Sequence, residues 1–312
     1  MTSAMPGMTP VAVPSRRTFL VALVVLGVGW GATQPLGKMA TMTGHPPFGL
    51  IFWQLVICVI LLGAITLARG RRLVLTRGAV AFYLVVAVLG TLVPNWTFYT
   101  SVARLPAGIM SILISLVPLM AFPMALMLGI DRFSPARLVG LVLGLTGVAL
   151  IALPEASLPD PAMAAYLPLA MVGPLFYAME STYVARFGMA GMDPVQAMFG
   201  ASLAGLILCV PLVIVSGQWI DPMFVWGRAE AALIVSSALH GLLYACFVWL
   251  AARAGAVFAS QSSYLVTASG VFWAMMLLDE EFSSWVWLSL VIMLCGVALV
   301  QPRPKGTLPA RG

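Results

Sequence analysis

The sequence has little charge: 16 Lys and Arg with 10 Asp and Glu make 8% of 312 residues, where soluble domains carry roughly a quarter. So few charges cannot cover a water-facing surface of this size, which excludes an ordinary soluble domain. Cysteine is scarce too. Cys58, Cys209, Cys246 and Cys295 all lie inside apolar runs without paired spacing, so neither a disulfide framework nor a zinc site is suggested. The chain has no Cys/His metal spacing, no glycine-rich loop leading to a lysine and no nucleophile elbow. Those absences argue against the motif-bearing enzyme classes and imply no metal and no cofactor. The net charge of +6 is not a nucleic-acid footprint, because the Lys and Arg fall between apolar runs rather than along one helix face.

What is present is apolar sequence: 62% of residues, with a mean hydropathy of +1.04. Lipid is then the main solvent, where a backbone must satisfy its own hydrogen bonds in helices or a closed barrel. The runs are about twice as long as barrel strands and lack their alternation, so helices are predicted. Ten spans follow, at 18–40, 48–68, 79–100, 106–129, 136–153, 163–186, 194–215, 231–252, 256–278 and 284–301. Arg16 and Arg17 precede the first run as in a signal peptide, but the run is too long and no small-residue cleavage site follows.

With odd loops outside and even loops inside, thirteen of the sixteen Lys and Arg fall on the inner side, in the tails and around Arg69–Arg77, Arg132, Arg137, Arg186 and Arg253. Arg104 and Arg228 fall outside, and Lys38 lies within a span. The outer loops hold Glu155, Asp160, Asp221, Asp279, Glu280 and Glu281. The positive-inside rule therefore places both termini in the cytoplasm of a multi-pass inner-membrane protein.

Shifting the chain by 149 residues aligns Phe98–Ile151 with Phe247–Val300 without a gap, at about one-third identity. Polar and glycine landmarks stay in order: Arg104 meets Arg253, Ser111 meets Ser260, Asp131 meets Glu280, and Gly147 to Leu150 meets Gly296 to Leu299. The predicted organisation is a disordered tail over 1–15, a first repeat over 16–153, a second over 163–301, and a tail over 302–312. Five is an odd number of spans, so the second copy enters the membrane from the opposite side. Inverted repeats of this kind typify secondary transporters, whose like halves expose a midplane site alternately.

Trp30-Gly31 in the first span, the acidic residues Asp131 and Glu280 before the last helix of each repeat, and the glycines Gly140, Gly144, Gly147 and Gly296 within those helices together resemble the drug/metabolite transporter superfamily, specifically its EamA-like ten-helix family. The resemblance covers about 18–301. It implies an all-α fold of two inverted five-helix repeats around a central cavity, and export rather than uptake. Such proteins often carry an arginine partway along the second span, where this chain has Gln54, so that residue's role is not carried over.

Ionisable groups at membrane depth cost about 2.5–3.5 kcal/mol on insertion scales and are functional candidates by default. Glu180 shares a helix face with Tyr177 and Ser181. It reads as a proton-coupling carboxylate or a partner for a cationic substrate group, or else as a snorkelling or interhelical hydrogen-bonding residue. Trp30, Gln34 and Lys38 form one stripe, with Lys38 either reaching the interface or lining a cavity. Asn95, Tyr99, Ser111 and Ser115, with the repeat equivalents Tyr244, Ser260 and Tyr264, suit a pocket for a small amphipathic ligand such as an amino acid, or else serve packing. His240, one turn from Tyr244, can exchange protons. Gly27 and Gly31, like Gly140 and Gly144, are spaced for close helix contact. Packing within one chain is the preferred reading and dimerisation the other, so the expected partners are a small molecule and the bilayer. Asp279, Glu280 and Glu281 read as a solvated outer turn. A receptor or assembly scaffold is the rival function; an inverted repeat is not something it needs.

Overall fold

Apolar runs bounded by Pro, Gly and charge become ten helices in the computed structural model, which describes residues 15–129, 131–153, 157–223, 226–254, 259 and 261–300. They are α1 Arg16–Thr41, α2 Pro47–Ala68, α3 Arg77–Val102, α4 Ala107–Met127, α5 Pro135–Ala152, α6 Leu167–Phe187, α7 Pro194–Ser216, α8 Arg228–Ala254, α9 Ser262–Leu278 and α10 Ser284–Val300. Among the described residues there is no strand. The shortest helices, α9 and α10, have 17 residues each, about 26 Å at 1.5 Å per residue, close to the hydrocarbon thickness. The tails, Glu155, Ser260 and the side chain of Arg253 lie outside the described residues, except that Ser15 of the first tail caps α1 by accepting from Thr18 N.

Starts and stops follow local chemistry. Thr76 and Asp193 accept backbone N–H bonds at the starts of α3 and α7, and Gln196 completes a capping box with Asp193. α6 and α7 end at Gly188 and Gly217, whose φ angles of 71° and 67° suit glycine. Apolar residues also cover the outside: Ile60, Ile207, Val215 and Val291 are more than half exposed. Lipid explains that surface, since water would make it a liability.

Packing reflects the repeat. α1 lies against α8 and α9, while α6 lies against α3 and α4; α2 packs on α7 and α5 on α10. Exchanging each helix with its counterpart five places on reproduces this set of neighbours, as a pseudo-twofold axis requires. The axis passes between α5 and α10, where a Cβ on Gly140 would stand 2.6 Å from Gly296 O and one on Gly296 2.7 Å from Gly140 O. Gly31 likewise meets Gly270 and Ser269 of α9. Both glycine pairs serve helix contact inside one chain.

Two spans depart from regular helix. In α3, residues Ala87–Leu92 form a π-helical stretch closed by Val93 N bonding Val88 O. Pro94 follows, and its ring would clash with the carbonyl four residues back and leave it without a donor, so the bulge absorbs the misfit. In α4, the helix is interrupted at Ile114 and Ser115 between Ala107–Leu113 and Leu116–Met127.

Candidate functional site

The polar residues converge where α1 crosses α8 and α6 crosses α3. At the first crossing, Trp30 Nε1 donates to His240 Nδ1 at 3.2 Å, which fixes His240 as the neutral tautomer carrying its proton on Nε2. The Trp30 ring also lies 6.2 Å from that of Tyr244, edge to face, and 5.9 Å from that of Phe247. At the second crossing, Glu180 is 7% exposed and sits against Gly90, where a Cβ would stand 2.5 Å from the carboxyl carbon. The π-helical turn and its glycine thus leave space for a carboxyl group.

Glu180 stands seven residues from the C-terminal end of α6, roughly 10 Å along the axis, beyond the reach of its short side chain. Among the described residues nothing hydrogen-bonds or ion-pairs with its carboxylate. Tyr177 on its own helix and Tyr244 on α8 lie within its electrostatic range, so Tyr244 joins the two crossings. Tyr177 OH in turn reaches Asn95 Oδ1 at 3.5 Å.

Other predicted residues go elsewhere. Tyr99 is buried and donates to Gln54 Oε1 at 2.8 Å; Gln54 therefore closes a buried pair at the position where an arginine was expected by resemblance. Gln34 points an amide oxygen into the interior that is buried without a partner, an acceptor awaiting a donor. Ser111 and Ser115 bond the carbonyls of Ala107 and Ile112 in their own helix. Tyr264 packs at the edge of the core built by α4, α5, α6, α9 and α10.

Lys38 leaves the stripe. Its Nζ donates to Leu105 O at 2.7 Å and lies 3.3 Å from Glu280 Oε1. Glu280 in turn accepts from Ala107 N at 2.7 Å and Gly108 N at 3.0 Å, capping α4. The turn before α10 is therefore not simply solvated: Glu280 ties together α1, α4 and α9. Its repeat counterpart Asp131 is held by the buried Arg137. Arg69 pairs with Asp193 at 3.7 Å and His45 Nε2 hydrogen-bonds Glu230 Oε1 at 2.7 Å, both close to helix ends.

Gly90 escaped sequence reasoning, although Pro94 signals a disturbed helix nearby. The partnership of Trp30 with His240 left no local trace, since 210 residues separate them.

Ten apolar helices in two interlocked repeats define a polytopic membrane protein. The sequence pattern of the EamA-like transporter family matches residues 17–153 and again 165–301, and the chain belongs to that family. A solved structure, described only as a crystal structure of a protein, superposes with a TM-score of 0.62 at 17% identity, over 91% of this chain and 96% of that one; it supports the fold. No curated protein matches the sequence.

Proposed function

We propose that the protein is a secondary-active exporter of a small amphipathic organic metabolite, working by alternating access in the inner membrane with both termini in the cytoplasm, and without catalytic chemistry. The observation that carries this reading is Glu180: a buried carboxyl group with no partner among the described residues, placed at a helix crossing between two inverted repeats and beside Tyr177 and Tyr244. A packing role gives no reason to keep such a group. Structural carboxyls in this protein, such as Glu280, have their acceptors filled. A site with a proton to give, beside the rings and hydroxyls of Tyr177 and Tyr244, suits binding coupled to a proton gradient; the buried, unfilled amide acceptor of Gln34 on α1 is a further polar group at membrane depth. Glu180 is the coupling group; His240, held by Trp30, orients the aromatic wall. Membrane orientation rests on the Lys and Arg distribution, and export on family membership.

The test is a thermal-shift screen of purified protein against amines, amino acids, nucleosides and toxic metabolites, which finds ligands by mass action, followed by flux of the hit into proteoliposomes. Saturable flux that responds to an imposed pH gradient in wild type and is lost in Glu180→Gln supports the reading. A pH response unchanged in Glu180→Gln overturns the coupling role, and a protein that binds but moves nothing returns the scaffold alternative.

A further inference from the structure

The charges around the site are unbalanced in one direction. Glu180 is buried against Gly90 with no cation among the described residues paired to it. Lys38 belongs to Glu280, Arg137 to Asp131 and Arg69 to Asp193, and the other arginines whose side chains are described are exposed at the ends of helices or in the loops between them. His240 is no counter-cation, because its Nδ1 accepts the indole proton of Trp30. An ionised carboxylate at this depth without a counter-charge costs several kcal/mol. A proton removes that cost, and so does a cationic ligand. The rings of Trp30, Tyr177 and Tyr244 offer the π surface that attracts a cation and repels an anion. A zwitterion or an anion would instead bring its own carboxylate into a site with no cationic group among the described residues to receive it.

We infer that the site selects amphipathic organic cations, a protonated amine or quaternary ammonium on an aromatic or aliphatic body, and that the cation takes the Glu180 carboxylate in exchange for its proton. This rests on the transporter reading for its purpose but on charge balance for its chemistry. The exchange is simple: the Glu180 O–H bond breaks, the proton leaves to solvent, and the carboxylate pairs with the incoming cation. Proton and cation then occupy one site by turns, which would make transport an antiport. The other titratable groups facing it are Tyr177 on α6 and Tyr244 on α8, whose phenol hydroxyls bring no counter-charge, so the proton count is assigned to Glu180.

Four size-matched probes separate the possibilities: phenethylamine, phenylalanine, phenylacetate and phenethyl alcohol, each titrated calorimetrically into the full-length protein in nanodiscs, with proton release read in weakly buffered solution. Phenethylamine is expected to bind best, to release close to one proton per ligand, and to gain about tenfold in affinity per unit rise in pH while Glu180 is protonated. Glu180→Gln should weaken it at least tenfold and abolish proton release, with an unfolding midpoint near wild type. Should Glu180→Gln misfold, Glu180→Asp supplies the control by keeping the proton release. Preference for phenylalanine or phenylacetate, phenethylamine binding that never releases a proton, equal binding in Glu180→Gln, or no binding by any of the four overturns the inference. Flux of the same probes into proteoliposomes keeps the two readings apart. Amine binding with proton release but no flux defeats transport and leaves the cation site standing; flux of a zwitterion or neutral probe alone does the reverse.

Discussion

Glu180 and Gly90 are adjusted to one another, and the pair makes a prediction that needs no substrate. Gly90→Ala puts a methyl group within about 2.6 Å of the carboxyl atoms, so it should destabilise the protein by about 1–3 kcal/mol as overpacking does. Glu180→Ala in the same chain should recover most of that loss. Thermal midpoints of the two single variants and the double variant give the coupling, and additive effects would mean that the two side chains do not meet. Tyr99→Phe is the matching test at the other buried pair. It strands Gln54 Oε1 and should cost about 1–3 kcal/mol, whereas Tyr99→Phe combined with Gln54→Leu should cost less than Tyr99→Phe alone. Glu180 was legible in the sequence because an acidic residue in an apolar span is conspicuous. Its surroundings were not, since Gly90 and Tyr244 come from other helices, and neither residue type announces a carboxyl neighbour. Lys38 shows the opposite failure. Helical spacing put it in line with Trp30 and Gln34, but its flexible stem reaches Glu280, a partner that spacing along one helix cannot reveal.

Among the elements, the ten spans could be read directly, because hydropathy and the Pro, Gly and charged residues at their ends are written locally. The irregularities inside them were harder. Pro94 disturbs α3 before its own position, producing a π-helical turn over Ala87–Leu92, and only the tertiary fit decides where the extra residue goes. The start of α4 depends on an acid from the far repeat: Glu280 satisfies two of its free N–H groups. Glu280→Ala should therefore lower stability by about 1–2 kcal/mol, the usual loss for a helix cap. Lys38→Met should cost less, about 1 kcal/mol or below, since Glu280 keeps both backbone donors. An equal loss from the two variants, measured by thermal unfolding, would place the energy in the ion pair rather than in the cap. The close contact of α5 with α10 gives a steric test. Gly140→Leu has no room against Gly296 and should prevent stable packing of these helices, seen as loss of monodisperse protein on size-exclusion chromatography.

For the whole molecule, the repeat found by sliding the sequence reappears as an exchange of packing partners: α1 meets α8 and α9 as α6 meets α3 and α4. Two such halves have similar packing options on either side of the bilayer, so two states that open to opposite faces can lie close in energy. In the proposed cycle the polar residues at the two crossings are the point at which access switches. Alternating access is the central claim, and cysteine accessibility tests it most directly. After the four native cysteines are replaced, single cysteines at Gln34, Ser115 and Tyr264 are exposed to a membrane-impermeant maleimide from each side of oriented vesicles. The account predicts that Gln34→Cys, at a position whose side-chain oxygen is buried without a partner, labels from both sides, and that a bound ligand or an imposed pH gradient shifts the balance between them. Labelling from neither side, or from one side under every condition, would contradict it.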